Sequence, residues 1–550
     1  MKPLLPGVLC ALTAASAGAL AADAATKPAF DAAVLSQHVR TLASAEFEGR
    51  APATAGEDKT VDYLVDALKK AGVQPGGEEG GWVQRVPLVR AQVEGEVQAS
   101  LQVGGKAQAL VNGDDVVLQT LQPVDRVQVE DAPLVFVGYG VDAPERGWDD
   151  YKDVDLKGKV AIVLVNDPDF ETGSGPFDGR GMTYYGRWTY KYEELARKGA
   201  VGVLIVHETE AAAYGWATVR ASGLSPVFDI ERDNARTYHT HLRGWMQREL
   251  AVSLFKRAGL DFDAAKQQAQ DREFKPVTLG DATLTARFAV KRERVVSRNV
   301  IGKLQGDTRP QESVIYSAHW DAFGAGEADK QGDHIRHGAL DNATGVASVL
   351  ELARAFAAGP RPQRSLLFIA FTAEEKGLLG AMHYAAHPLM PLESTAAVIN
   401  MEMFSNSGRM RDIASWGNGR VSLEGDLERI AKDNGRGYLH DPSPESGFFY
   451  RADHFAFARA GVPAITAGAG EDLVEGGREK GKALIAGYFK DCYHQPCDRW
   501  TPAWNAEGHA EDTQLLYALG KEIANSRAWP QWQEGSEFKA VRAKSAQARE

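Results

Sequence analysis

Cysteine is scarce in this chain, with three in 550 residues. A scaffold built on many disulfides is thereby excluded. Positive charge is in deficit: 62 Lys and Arg stand against 74 Asp and Glu, a formal net charge of −12. A general nucleic-acid binder needs a basic field, so that class is excluded too. Beyond Leu20 no apolar run approaches the ~20 residues that cross a bilayer, and a membrane-spanning protein is not expected. Long polar tracts are missing, and with 44% hydrophobic and 25% charged residues the composition is that of a globular protein with a real core. Several catalytic motifs are also missing. There is no Gly-x-Ser-x-Gly nucleophile elbow, no His-Glu-x-x-His zinc motif and no Gly-x-x-x-x-Gly-Lys-Ser/Thr phosphate loop.

What is present begins with a targeting pattern. Lys2 precedes an apolar stretch from Leu4 to Leu20, and Ala19-Leu20-Ala21 fits a small-x-small cleavage site, so residues 1–21 read as a signal peptide. The expected location is therefore periplasmic or secreted. Cleavage after Ala21 leaves Cys492 and Cys497, which an oxidising compartment is expected to pair, with His494 between them. The chain is long for one domain. Residues 60–72 have helical spacing and end on Gly72. Residues 133–140, 157–165 and 199–206 read as strands, with a helix over 192–198. From residue 313 onward, short β-like runs (313–318, 365–371, 396–400, 462–466) alternate with helical ones (346–356, 377–386). The expected class is α/β: a mostly parallel or mixed sheet covered by helices, with a smaller α/β insertion. The expected division is 22–129 and 286–535 for the two parts of the main domain, 130–285 for the insertion, and a frayed tail over 536–550.

Ligands of open α/β sheets sit beyond the carboxyl ends of strands. His319-Trp320-Asp321 follows the first of the late strands, Glu374-Glu375 the second, Glu402 the third, and Asp341 opens a helix. Singly these are weak: Asp341 alone reads as an N-cap and a Glu-Glu pair as a solvated helix start. Together they fit a two-metal site of imidazole and carboxylate donors. Asp341 suits the bridge, His319 and Glu402 one metal, Glu375 and His494 the other. Glu374 stays free as a general base, and Asp321 is placed to accept the second ring N–H of His319.

These segments, Ser317-Ala318-His319-Trp320-Asp321, Gly338 to Gly345, Phe371 to Gly380 and Tyr493-His494-Gln495-Pro496-Cys497-Asp498, resemble the co-catalytic zinc aminopeptidase family. That family also contains glutamate carboxypeptidase II, glutaminyl cyclases and the transferrin receptor. The stretch from Val135 to Gly140 through Asp149-Asp150-Tyr151, Gly158-Lys159 and Gly199-Ala200 is similar to the protease-associated domain that many members carry. The resemblance implies two Zn²⁺ per chain and peptide substrates, with Asp341 bridging, His319, Glu375 and His494 as ligands, and Glu374 as base. It also implies a Tyr493 hydroxyl near the oxyanion, with Asp453 and His454 in a supporting loop. Many members have Asp where this chain has Glu402, one methylene longer. An aminopeptidase is the leading expectation; a carboxypeptidase or dipeptidase on the same scaffold, a glutaminyl cyclase and a receptor-like protein are the alternatives.

Overall fold

The structure, a computed structural model, describes residues 29–417 and 419–549. The expected targeting segment, residues 1–21, lies outside them. The architecture is mixed α/β, with a large mixed sheet, parallel where it carries the chemistry, flanked by helices. Among the described residues no helix is long and apolar enough to cross a membrane.

Four neighbouring strands position the chemistry. Arg309–His319 lies between Arg364–Phe371 and Thr395–Met401, parallel to both, and Thr395–Met401 pairs in parallel with Ala464–Ala469. All residues of Arg364–Phe371 and Thr395–Met401 are buried, which explains their unbroken apolar runs: both sheet faces are covered. The helix Thr344–Ala358 packs on one face with Ala55–Ala71, whose C-cap Gly72 takes the left-handed conformation (φ 84°). Tyr384, Phe457 and Ile369 belong to a smaller core cluster.

One strand links this sheet to the rest of the molecule. Val277–Leu304, 28 residues long, pairs antiparallel with Arg364–Phe371 at its end and with Val83–Val103 and Arg126–Phe136 along its length. Beyond Arg126–Phe136 the sheet continues through Val160–Leu164, Gly202–His207 and Leu242–Gln247, all parallel. This part has its own cores, built from residues between Ala91 and Val290. It turns back onto the first part: Met182 N donates to Pro444 O (2.8 Å), Arg420 pairs with Asp178 (3.2 Å), and Tyr184 packs on Phe455.

The tail expected to fray instead packs. Phe538 joins the main core, and Arg542 Nη2 donates to Thr395 O at 2.8 Å. A buried aromatic and a guanidinium that caps strand-end carbonyls outweigh the charged, Ala-rich composition of the segment.

Arg50 ties the N-terminal segment to the strand ends. It is fully buried, and donates from Nε to Trp320 O, from Nη1 to Leu42 O and His337 O, and from Nη2 to Gly338 O, all at 2.7–2.8 Å. Burial lowers its pKa to about 10 without neutralising it. Arg50→Met removes four charge-assisted hydrogen bonds and strands their acceptors, so a loss of about 3–5 kcal/mol is expected, read from the urea midpoint. A loss under about 1 kcal/mol would contradict this role.

Candidate metal centre

The sheet order fixes which residues meet. Glu402 follows Thr395–Met401, His319 ends Arg309–His319, and Glu374-Glu375 follow Arg364–Phe371, so three adjacent parallel strands deliver their donors side by side. Asp341 arrives from the segment before Thr344–Ala358. That helix start crosses the strand end so closely that a side chain at Gly345 would collide with Met401 O, which is why glycine stands there. His494 comes from the loop after Gly477–Asp491, at φ 60°, within the segment closed by the Cys492–Cys497 disulfide.

Asp341 sits between the two imidazoles. Its Oδ1 lies 3.2 Å from His319 Nε2 and its Oδ2 3.4 Å from His494 Nε2. Glu402 Oε2 is 3.5 Å from His319 Nε2, and Glu375 Oε2 is 3.1 Å from His494 Nε2. Among the described residues the buried ring nitrogens of His494 find no hydrogen-bond partner despite this proximity. Two donor sets sharing one carboxylate therefore converge: His319, Asp341 and Glu402, and His494, Asp341 and Glu375. Nitrogen and carboxylate oxygen are the donors zinc takes, and an imidazole that approaches carboxylates without hydrogen-bonding them fits a cation between. Donor atoms of His319, Glu374 and Glu402, and of His319, Asp341 and Glu375, lie within 4.8 Å of one another.

The surrounding hydrogen bonds hold these groups in place. Glu402 accepts from Asn342 Nδ2 (2.7 Å) on one oxygen and from Asn400 Nδ2 (3.0 Å) on the other. Asp498 accepts from the amides of Leu340 (2.8 Å) and Asp341 (3.2 Å) and from Tyr488 Oη (3.2 Å). Asp321 acts differently from the expectation that its carboxylate fixes the His319 ring. The ring Nδ1 lies 3.1 Å from the Asp321 main-chain carbonyl and 3.7 Å from the carboxylate. The carboxylate instead faces the amides of Glu374 (3.0 Å) and Glu375 (3.4 Å), fixing the turn at Ala373, whose φ is 53°. Tyr493 Oη accepts from Arg451 Nη2 at 2.8 Å. Asp453 and His454 are fully buried, and among the described residues their side-chain polar atoms have no hydrogen-bond partner. Asn342 and Asp498 lie in segments that carry the family resemblance but received no role from the sequence; Asn400 and Arg50 were not singled out, and no chemical pattern in their own segments sets them apart.

Crowded negative charge governs the electrostatics. Burial raises Glu374 well above the ordinary carboxylate range, and Glu375, Glu402 and Asp453 add to the rise against His319. Glu375 and Glu402 are raised for the same first reason. Burial disfavours the charge on Asp341 as well, yet the flanking imidazoles hold its carboxyl below the usual range. His319 is pulled down by burial but raised more strongly by Glu374, Glu402, Asp321 and Asp341.

That shift sets a pH dependence. A raised histidine pKa contributes stability that is complete below the unfolded value of about 6.5 and is lost as pH rises through the folded value. Zinc needs the unprotonated imidazole. Zinc added to metal-free protein is expected to raise Tm by on the order of 5 °C at saturation, and by more at pH 8.5 than at pH 6. An equal gain at both values, or none, would contradict the assignment; differential scanning fluorimetry reads it.

Residues 299–518 match Peptidase family M28. The chain is 34% identical over 155 residues to a probable zinc metalloprotease of Pyrenophora teres f. teres (strain 0-1), an alignment covering 25% of this chain and 33% of the relative. It is 36% identical over 119 residues to aminopeptidase NAALADL1 of Mus musculus, covering 20% and 14%. The chain thus spans about a third or less of the length of these curated relatives. An aminopeptidase from Aneurinibacillus sp. strain AM-1 has the same fold, with a TM-score of 0.53 at 20% identity over 90% of this chain and 94% of that one. The residues that match Peptidase family M28, 299–518, contain His319, Asp341, Glu374, Glu375, Glu402 and His494.

Proposed function

We propose that this protein is an exported dizinc exopeptidase that removes N-terminal residues from peptides. The observation that carries the reading is the placement of Asp341, each carboxylate oxygen directed to a different imidazole. The relatives named as a zinc metalloprotease and an aminopeptidase support it. In this reading His319, Asp341 and Glu402 hold one ion and His494, Asp341 and Glu375 the other. Zinc bound there supplies Lewis acidity toward a carbonyl oxygen and lowers the pKa of water.

The chain's own groups do the rest. Among the described residues the Glu374 side chain has no hydrogen-bond partner, and it lines the cavity beside the site. Its place beside the donor sets suits taking a proton from attacking water and returning it to the leaving amine. Asp321 fixes the peptide from which Glu374 projects. Tyr493 accepts a hydrogen bond from Arg451, so its own O–H proton is free to donate to a developing oxyanion. Burial raises the Tyr493 pKa and keeps that proton in place. The segment expected as an insertion, 130–285, read as a protease-associated domain, forms the opposite wall of the cavity through residues such as Arg187 and Tyr214.

Glu374→Gln is expected to lower kcat by about 10²–10⁴-fold while zinc content stays unchanged. Turnover equal to the unsubstituted protein would overturn the base assignment. Leucine amide is expected to be cleaved and its N-acetyl counterpart left intact; hydrolysis of the acetylated compound would reverse the polarity proposed here.

A further inference from the structure

The two imidazoles of the candidate metal centre are held in different ways. His319 turns Nε2 toward Asp341 and Glu402 and donates from Nδ1 to the Asp321 main-chain carbonyl at 3.1 Å. That is the usual support of a metal-binding imidazole: a hydrogen bond at the second nitrogen fixes the rotation of the ring. His494 turns Nε2 toward Asp341 and Glu375 in the same manner. Its Nδ1 is buried, yet among the described residues it has no hydrogen-bond partner. The torsion about Cβ–Cγ of a histidine is broad and restrains the ring weakly by itself. The orientation of His494 therefore has to come from packing.

The packing is aromatic. The Phe323 ring centroid lies 4.4 Å from that of His494 with the planes inclined by 43°, and the Tyr493 centroid lies 3.7 Å away at 30°. A ring stacked this closely cannot turn about Cβ–Cγ without driving its edge into a neighbour. Tyr493 is the residue next to His494 in the chain and moves with the same loop. Phe323 comes from elsewhere, four residues after His319, just before the two-residue strand Gly324–Ala325 that pairs with Ile335–Arg336. It is 7% exposed, and Lys376 Nζ sits 4.0 Å from its ring centroid, so the phenyl group is itself fixed. Phe323 thus links the segment that carries His319 to the loop that carries His494.

The stack also has an electrostatic sense. The face of a phenyl ring is its negative part. An imidazole bound to a cation is drained of electron density, so a phenyl face attracts the loaded ring more than the empty one.

We propose that Phe323 is a positioning residue for His494, and that its ring sets how tightly the ion shared by His494, Asp341 and Glu375 is held. This rests on the dizinc reading above and deepens it. One ligand histidine is oriented by a carbonyl and the other by an aromatic face, so removing that face weakens one ion and spares the other.

Zinc affinity is measured on the whole protein by competition with a chromogenic chelator. Phe323→Leu and Phe323→Met remove the aromatic face at modest cost in volume, Phe323→Tyr keeps it, and His494→Ala identifies the ion concerned. The unsubstituted protein is expected to bind two zinc ions. Phe323→Leu and Phe323→Met are expected to weaken one of them by about 10- to 100-fold and leave the other within about threefold. Phe323→Tyr is expected to restore both to within about threefold. The ion that remains in His494→Ala is expected to be indifferent to the further change Phe323→Leu, since the group that Phe323 orients is gone. Cobalt-loaded protein gives a second readout: the visible absorption of one Co²⁺ is expected to change in the Leu and Met variants and to return with Tyr. Two ions held equally well in every Phe323 variant overturn the proposal and leave the dizinc reading standing. Equal weakening of both ions, or no recovery with Phe323→Tyr, marks a merely structural residue and also overturns it. An unsubstituted protein that takes one ion or none removes the dizinc reading and the proposal with it.

Discussion

Negative charge buried beyond the strand ends is the constraint on which this structure turns. Asp321, Asp341, Glu374, Glu375, Glu402, Asp453 and Asp498 lie around His319 and His494. Removing isolated carboxylates from water costs on the order of tens of kcal/mol by Born solvation, and several kcal/mol each after relaxation. Main-chain amides take up part of this charge at Asp321 and Asp498, and asparagine amides at Glu402. Asp341, Glu375 and Glu402 also face imidazoles. Those imidazoles are disfavoured as cations by burial but shifted toward the protonated form by the carboxylates they face.

The rest of the fold serves that concentration of charge. Three parallel strands bring the donors side by side, and the close crossing at Gly345 lets Asp341 reach between the imidazoles. Arg50 ties the Trp320 and Gly338 carbonyls on either side of the site. Arg187 and Arg451 line the cavity beside the site from two different parts of the molecule, joined by Val277–Leu304 and by the contact of Met182 with Pro444.

Much of this was legible in the sequence because it is local. The parallel strands are unbroken apolar runs, and the residues following each run carry the chemistry: His319 after one, Glu374 and Glu375 after the next, Glu402 after the third. What was not legible depends on pairings distant in sequence. Arg50 meets carbonyls more than 280 positions away at His337 and Gly338, and nothing around it marks it out. Arg187 and Arg451 are ordinary isolated cations until the fold brings both to one cavity. Asp321 was legible as a neighbour of His319, but choosing between its carbonyl and its carboxylate requires the turn geometry. The tail misleads for the same reason: Phe538 and Arg542 outweigh a composition that reads as solvated.

Anomalous X-ray diffraction at the zinc edge, on crystals of the zinc-loaded protein, tests the central claim most directly. The account predicts two peaks ~3.5–4 Å apart, one among His319, Asp341 and Glu402 and the other among His494, Asp341 and Glu375. A single peak, or a pair that does not share Asp341, would contradict it.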